Sequence, residues 1–468
     1  MARILRFEKV YHCVDFLSDS NVRASAVALG SEIHILSELN FPKGTEMDIR
    51  DKSYLDYAEE RLAEYRGNGK PTVAYFIDTY FPLVDGVVSV LHNYATHLQK
   101  DWNVIVCAPA HRHKQQEQDY LVLSCNSHYL KFINYSYGTP AADRRFVGLL
   151  EQAKIDLVHL HSPFMLGAFG LRLAKKRNIP VIATFHSQYK QDFMRYTKSK
   201  VVTNFLLESI MKVFRQTDCV YTMHEYSKNT LLSYGYDGEV RFLPNATNER
   251  YPEDPAPYLA RVNEAYNLGD KKNILLFVGR ITRVKDIFFI LEILDKLPAE
   301  FPFHMIFVGG GPDEKELQKR TEELGLSDRV TFTGNIGDRE LLKAFYLRSD
   351  LFLFPSRYDV SSIVQIEAAA QKLCGLFRRG SVTSCTVRDN ETGFLCEGDA
   401  KDFADKILEI FSTPGLLARV SEGAHEKLYV SWETLTQKIL SEYDFILQKP
   451  RPVAEERGAR KSKRTSEE

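Results

Sequence analysis

Residues 273–311 read NILLFVGRITRVKDIFFILEILDKLPAEFPFHMIFVGGG. An apolar run, Asn273 to Val278, ends on Gly279-Arg280; a stretch with helical spacing follows from Ile287 to Leu297; a second apolar run, His304 to Val308, ends on Gly309-Gly310-Gly311-Pro312. Short apolar runs bounded by turn residues read as strands buried on both faces, and a helix between two of them makes a parallel pair. The same alternation continues through Glu314 to Leu324 (helix), Val330 to Phe332 (strand), Glu340 to Leu347 (helix), Leu351 to Phe354 (strand) and Ser362 to Gln371 (helix).

Upstream, the pattern is repeated. Val73 to Ile77, Trp102 to Cys107, Leu157 to His161, Val181 to Phe185, Cys219 to Met223 and Val240 to Pro244 read as strands. Val87 to Leu98, Arg144 to Lys154, Leu166 to Lys176 and Val201 to Arg215 read as helices, with Gly86 in a loop. The fold class is therefore α/β: two doubly wound, Rossmann-like lobes in series, preceded by an extra N-terminal segment. Ligands in such folds bind at the carboxyl ends of strands, so the expected active site is a cleft between the lobes.

Domain limits follow from composition. Residues 1–70 show weak periodicity and end on the turn-rich Arg66-Gly67-Asn68-Gly69-Lys70-Pro71; they form an N-terminal extension without an assigned role. Residues 71–250 form the first lobe, joined by a last amphipathic helix at 432–447. Proline-rich Tyr251 to Pro257 reads as the connection, 258–431 as the second lobe, and the charged 448–468 as a disordered tail.

The 468 residues carry a net charge of -1, with 44% hydrophobic and 26% charged residues, which fits a soluble globular chain and gives no general field for nucleic acid. One local asymmetry stands out: Leu171 to Gln216 holds ten Lys or Arg against Asp192 and Glu208, a net of +8. Seven scattered cysteines without a Cys-x-x-Cys pair read as reduced thiols of a cytoplasmic protein. No apolar run approaches the ~20 residues that span a bilayer, and the N-terminus is not a secretory signal.

The candidate chemistry sits at strand ends. Arg280 and Lys285 lie between a strand and a helix; a guanidinium forks onto phosphate oxygens, an ammonium adds a point charge, and a helix N-terminus favours anions. Two solvated surface cations are the other reading of that spacing. Gly309-Gly310-Gly311 can admit a ligand close to the backbone, or serve as a plain turn. Asp359, with Ser361 or Ser362 capping the following helix and Glu367 on its second turn, offers carboxylates for ribose and hexose hydroxyls; an exposed acid at either position is the other reading. In the first lobe, Asp85-Gly86 lies in the first strand-to-helix loop. His161, at a strand end, is the better cleft candidate; His159, deeper in the strand, reads as core; His186 ends a neighbouring strand.

In this order, from Thr72 to Leu447, the pieces resemble family 4 of the retaining glycosyltransferases, which have the GT-B fold. The resemblance implies that Arg280 and Lys285 stabilise the leaving diphosphate, that Glu367 is the second acid of the Glu-x7-Glu motif and holds the donor ribose, and that Asp359 takes the first acid's place near the hexose. It implies a glycine-loop contact at Gly86, a sugar-touching histidine at His161, donor contacts at Gly279, Gly310, Gly311, Asn335, Ile336, Ser361 and Ser362, and acceptor-side roles for His186 and Asp85. No metal or other cofactor is expected, since fixed cations neutralise the departing charge. Asp359 replaces the usual Glu, and Lys372, Cys374 and Gly375 replace the usual Gly, Pro and Val. His161-Ser162-Pro163-Phe164 and the basic stretch after His186, with Phe193, Tyr196, Phe205, Leu206, Met211 and Phe214 interleaved, resemble the members that glucosylate diacylglycerol.

The expected function is transfer of a hexose, glucose by resemblance, from a UDP-sugar to a glycolipid, lipid or polysaccharide, with peripheral membrane contact at the inner face as one reading of the basic stretch and a core helix with a solvated face as the other. The partners are then a nucleotide-sugar and a lipid or glycan acceptor, and not nucleic acid. A non-catalytic partner subunit, or an epimerase or phosphorylase on the same fold, are the alternatives.

Overall fold

The computed structural model describes residues 46–83, 86–130, 135–357 and 363–450. Asp85, Asp359, Ser361 and Ser362 lie outside the described residues, as do 1–45 and 451–468. Contacts divide the chain into two compact units: one takes residues up to Thr222, then 229–241 and the chain from Thr436 onward, and the other takes Met223–Lys228 and Phe242–Leu435.

The first unit is built on a seven-stranded sheet. In chain order its short N-terminal strand β1 (Glu46–Asp48) precedes β2 (Thr72–Phe76), β3 (Asn103–Pro109), β4 (Lys114–Gln116), β5 (Leu121–Cys125), β6 (Ser127–Leu130), β7 (Tyr135–Gly138), β8 (Leu157–Leu160), β9 (Val181–Thr184), β10 (Cys219–Thr222) and β11 (Val240–Phe242). The main sheet runs β11-β10-β9-β8-β2-β3-β5, with β1-β4 and β6-β7 as separate antiparallel pairs. β2, β3, β5 and β8 are buried along their whole length, as two-sided coverage by helices requires.

Helix Lys52–Gly67, which the sequence reading did not anticipate, packs into this unit. Its buried positions, Tyr54, Ala58, Leu62 and Tyr65, recur at helical spacing. The tyrosyl oxygens accept from the backbone of β5, Tyr54 from Ser124 at 2.9 Å and Tyr65 from Leu121 at 3.2 Å. Edge strand β5 is thereby covered. Gly86, expected in a loop, is instead the first residue of helix Gly86–Leu98.

The second unit carries a six-stranded, all-parallel sheet in the order β14-β13-β12-β15-β16-β17, where β12 is Ile274–Val278, β13 His304–Val308, β14 Val330–Phe332, β15 Leu351–Phe354, β16 Gly375–Arg378 and β17 Phe394–Cys396. β12 and β13 pair in register from Ile274 with His304 to Val278 with Val308. Their glycine-bearing ends therefore stand side by side. Helix Ile363–Ala370 follows the carboxyl end of β15, and helix Arg339–Arg348 follows that of β14.

Among the described residues no helix is long and apolar enough to cross a membrane. The six described cysteines are free; Cys385 is exposed and the other five are buried.

Candidate functional site

In the second unit, three loops leave the carboxyl ends of β12, β13 and β14 and are tied to one another through their backbones. Gly279 N–H donates to Val308 O (3.0 Å), Gly309 N–H to Gly334 O (2.9 Å) and Ile281 N–H to Gly310 O (2.9 Å). Gly310 N–H donates to Asn335 Oδ1 at 2.8 Å, so Asn335 serves the loop next to its own. The glycines make this packing feasible: a Cβ on Gly309 would stand 2.1 Å from Gly279 O, and one on Gly311 2.2 Å from Ile281 O. Gly309 has φ +126°, a conformation open to glycine alone in practice. Loop-to-loop contact thus accounts for Gly309 and Gly311 before any ligand is considered. Ile336, partly buried, packs against the core of this unit.

Arg280 follows Gly279 directly, and Lys285 ends the short turn Arg283–Lys285. The Lys285 ammonium lies 5.8 Å from the ring centre of Phe354, the last residue of β15, which neighbours β12. Asp286 has φ +56° and its carboxylate accepts from Arg357 N–H (3.1 Å) instead of capping its own helix. The loop after β12 is thus fastened to the loop after β15, and both cations belong to the carboxyl edge of the sheet.

Glu367 stands on helix Ile363–Ala370 and is buried. Arg339 donates to its Oε1 at 2.6 Å, and Tyr346 OH donates to its Oε2 at 3.0 Å. The same guanidinium donates to Glu249 Oε1 at 2.9 Å. Burial, which would lower it, is outweighed by the charges of Glu367 and Glu249, so Arg339 binds its proton still more firmly than an ordinary arginine. Burial first, and the Glu367 charge second, push the Tyr346 hydroxyl well above its ordinary range. A carboxylate offers about four acceptor positions, so two fixed donors orient Glu367 without exhausting it. The sequence reading missed Arg339, Tyr346 and Glu249; Arg339 opens a helix directly after Gly334-Asn335-Ile336-Gly337-Asp338, and only that position hinted at it.

In the first unit three histidines gather behind the ends of β8 and β9. His159 is held between Tyr443 OH (2.7 Å, to Nδ1) and Thr184 Oγ1 (2.7 Å, to Nε2). His161 Nδ1 lies 3.2 Å from His186 Nε2, and the two rings are stacked. His161 is fully buried, against Tyr75 and Tyr94, and its Nε2 has no hydrogen-bond partner among the described residues. Burial depresses all three: His159 and His161 well below the usual histidine value, with neighbouring histidines adding to it, and His186 to about 3. All three are neutral imidazoles at pH 7. Asp78, past the end of β2, accepts from Ser162 Oγ (2.6 Å) and Leu166 N–H (2.8 Å), which fixes the turn that ends β8 and starts helix Met165–Arg177.

Gly86 faces open space, with nothing within 4 Å of where a Cβ would stand. The basic stretch after His186 divides into two sides. On helix Lys200–Phe214, Met211 and Phe214 are core residues, as the core-helix reading has them, while Val201 and Phe205 are 80% and 57% exposed. Lys190, Arg195, Lys198, Lys200 and Lys212, of the same stretch, are exposed as well.

Comparison with known proteins places both units. Residues 84–250 match the family described as Glycosyltransferase Family 4, and residues 261–427 match Glycosyl transferases group 1. The alpha-monoglucosyldiacylglycerol synthase of Streptococcus pneumoniae is 26% identical over 385 residues, covering 78% of this chain and 84% of that relative. A GDP-mannose-dependent alpha-mannosyltransferase of Corynebacterium glutamicum is 24% identical over 394 residues, covering 80% of this chain and 89% of its own length. Among solved structures, the sucrose-phosphate synthase of Thermosynechococcus elongatus superposes with a TM-score of 0.63 at 20% identity, over 81% of this chain and 99% of that one. The chain is a glycosyltransferase that carries a Family 4 domain and a group 1 domain, with the GT-B fold of two Rossmann-like lobes.

Proposed function

We propose that the enzyme transfers a hexose, glucose in the first instance, from a UDP-sugar to a lipid-linked or glycan acceptor, with retention of configuration and without a metal ion. One observation carries the reading: three strand-end loops stitched together by Gly279, Gly309, Gly310 and Asn335, with Arg280 and Lys285 on the same carboxyl edge. Fixed cations on a rigid, glycine-rich edge at the end of a parallel sheet are what a leaving diphosphate needs, because they stabilise charge as it develops without reorganising. Glu367, oriented by Arg339 and Tyr346, supplies acceptor oxygens for the ribose. Asp359 is assigned the hexose; in the first unit, taken by itself, Gly86 is assigned a close approach and His186 and Asp85 the acceptor side, with the fully buried His161 behind His186.

Glucose and a lipid-linked acceptor are favoured by the likeness to the diacylglycerol glucoside synthase, and the mannosyltransferase makes GDP-mannose the competing donor. Exposed Val201 and Phe205, with five exposed cations of the same stretch, suit an anionic membrane surface on the cytoplasmic side. The test is nucleotide release from UDP-glucose, UDP-galactose and GDP-mannose, with a diacylglycerol or glycolipid acceptor, with and without EDTA, and with the product's anomeric configuration read by NMR. Arg280→Ala and Lys285→Ala are expected to lower kcat/KM by about 100-fold or more; unchanged turnover in both would remove the diphosphate assignment.

A further inference from the structure

After Arg241 the chain passes into the second unit, and it returns to the first at Thr436. Inside the second unit the segments next to these two crossings are laced together. Thr247 and Ser431 form a parallel bridge, Thr247 N–H donates to Val430 O at 3.0 Å, and Arg250 pairs with Glu433. Helix Ile363–Ala370 is fastened to the same segment: Gln371, four positions after Glu367, donates from Nε2 to Arg250 O at 3.1 Å. Glu249 is buried within the laced segment, and its N–H donates to Thr247 Oγ1 at 3.1 Å. The place of Glu249 is therefore fixed relative to the helix that carries Glu367.

The two carboxylates meet at one nitrogen. Arg339 Nη2 donates to Glu249 Oε1 at 2.9 Å and to Glu367 Oε1 at 2.6 Å. A guanidinium Nη carries two hydrogens, so each carboxylate takes one. An arginine facing a single carboxylate turns its planar fork onto it and engages both oxygens. Glu249 holds Arg339 away from that arrangement.

Glu367 consequently takes one hydrogen from Arg339 on Oε1 and one from Tyr346 OH on Oε2, at 3.0 Å. Of the roughly four acceptor positions of a carboxylate, about two remain, one on each oxygen. That is the acceptor pattern for two hydroxyls on adjacent carbons. Glu249 has a further cation, the Lys343 ammonium, 3.6 Å from its Oε2. Arg339 has no anionic partners among the described residues besides Glu249 and Glu367, so without Glu249 its charge falls on Glu367 alone.

We propose that Glu249 is a positioning residue of the donor site: by taking one hydrogen of Arg339 Nη2 it keeps the guanidinium from closing on both oxygens of Glu367, which leaves that carboxylate able to accept from the vicinal diol of a nucleotide. The role rests on Glu367 as the residue that holds the donor ribose. The experiment is isothermal titration of the full chain with UDP and its dideoxy analogue, which lacks both ribose hydroxyls, and with the matching guanosine pair, so that the donor base is not presupposed. Wild type is expected to bind the diol form about 10- to 100-fold more tightly than the dideoxy form. In Glu249→Leu that ratio should fall about tenfold, with affinity for the dideoxy form kept. Glu249→Gln, whose amide oxygen still accepts from Arg339, should hold the ratio within about threefold of wild type. If Glu249→Leu does not fold, Glu249→Asp, whose carboxylate is drawn back by one methylene, carries the test with an expected fall of about threefold or more. In turnover, donor KM should rise about tenfold in Glu249→Leu with kcat nearly unchanged, since a ribose contact is made alike in the ground and transition states. A ratio in Glu249→Leu equal to that of wild type, where Glu367→Gln loses it, overturns the proposal. So does an equal loss of affinity for both forms, the mark of a general structural fault. Equal binding of the two forms by wild type instead sinks the assignment of Glu367 to the ribose, and the role of Glu249 with it.

Discussion

Arg339 and Glu367 are joined by a 2.6 Å charge-assisted hydrogen bond across 28 positions of chain, and the same guanidinium holds Glu249. An acid buried on the second turn of a helix keeps its charge only where a cation or donors compensate for lost hydration. Arg339 therefore does for Glu367 what water would do at the surface. Replacing it with Met leaves buried Glu367 with Tyr346 OH alone and Glu249 with the more distant Lys343 ammonium at 3.6 Å. Breaking a fully buried pair costs roughly 3–5 kcal/mol, but the Arg339 side chain is 47% exposed, so we expect about 1–3 kcal/mol in urea denaturation. Arg339→Lys should recover part of the loss. The donor KM should rise in Arg339→Met with a smaller change in kcat; equal stability and KM in the variant would show that the pair positions nothing.

The glycines of the donor unit separate packing from ligand contact. Gly309→Ala and Gly311→Ala drive a methyl into a carbonyl oxygen at 2.1 and 2.2 Å, and the loops must part. We expect a loss of roughly 2–4 kcal/mol for each by thermal or chemical denaturation. Gly86→Ala meets no protein atom, so its stability should stay within about 0.5 kcal/mol of wild type. Its turnover should nonetheless drop, because the methyl occupies space assigned to substrate. A fully active Gly86→Ala enzyme would remove Gly86 from the site.

What could be read in advance follows from how local each signal is. β12 and β13 are continuous apolar runs ending on glycine, so their position and the adjacency of Gly279 and Gly309 were open to inspection. Helix Lys52–Gly67 was not, because its buried stripe is Tyr54, Ala58, Leu62 and Tyr65, two tyrosines and an alanine around one strong apolar residue. Helix Ala256–Tyr266 was concealed differently: Pro255 and Pro257 read as a connection, yet proline is at home in a helix's first turn. β16 and β17, at four and three residues, are too short to show a period. Arg280 and Lys285 announced themselves by position after a strand. Arg339 did not, since its meaning lies in Glu249 and Glu367, and no sequence pattern joins those three.

The buried histidines make stability depend on pH in a set direction. The folded state holds His159, His161 and His186 neutral, with His186 depressed to about 3, while an unfolded histidine titrates near 6.5. Between those values the unfolded chain binds more protons, so stability is highest above pH 6.5 and falls as the pH drops. Each such histidine gives up as much as about 1.4 kcal/mol per pH unit in that window. Urea denaturation at pH 7.0, 6.0 and 5.5 should show the loss, and His186→Gln should reduce the slope by about one proton. An unaltered slope in that variant would mean that His186 is protonated in the folded state.

The exposed apolar pair on helix Lys200–Phe214 gives the last prediction. Phe205 is 57% exposed while Leu207, Ile210, Met211 and Phe214 face the core, so the helix has an inner side that the fold uses and an outer side that it does not. Phe205→Glu should leave thermal stability within about 0.5 kcal/mol of wild type, since little of the ring is packed. Against a membrane the effect is large. An inserted phenylalanine contributes roughly 1.5–3 kcal/mol, about 10- to 100-fold in partitioning, and the added carboxylate is repelled by anionic lipid. Flotation with vesicles of phosphatidylglycerol and phosphatidylcholine is the measurement. Wild type should float with the anionic vesicles, in a manner that salt weakens, and Phe205→Glu should remain at the bottom of the gradient. Equal flotation of the two would place the membrane contact on another face, and no flotation of wild type would leave the basic residues of the stretch that holds Val201 and Phe205 as a solvated surface.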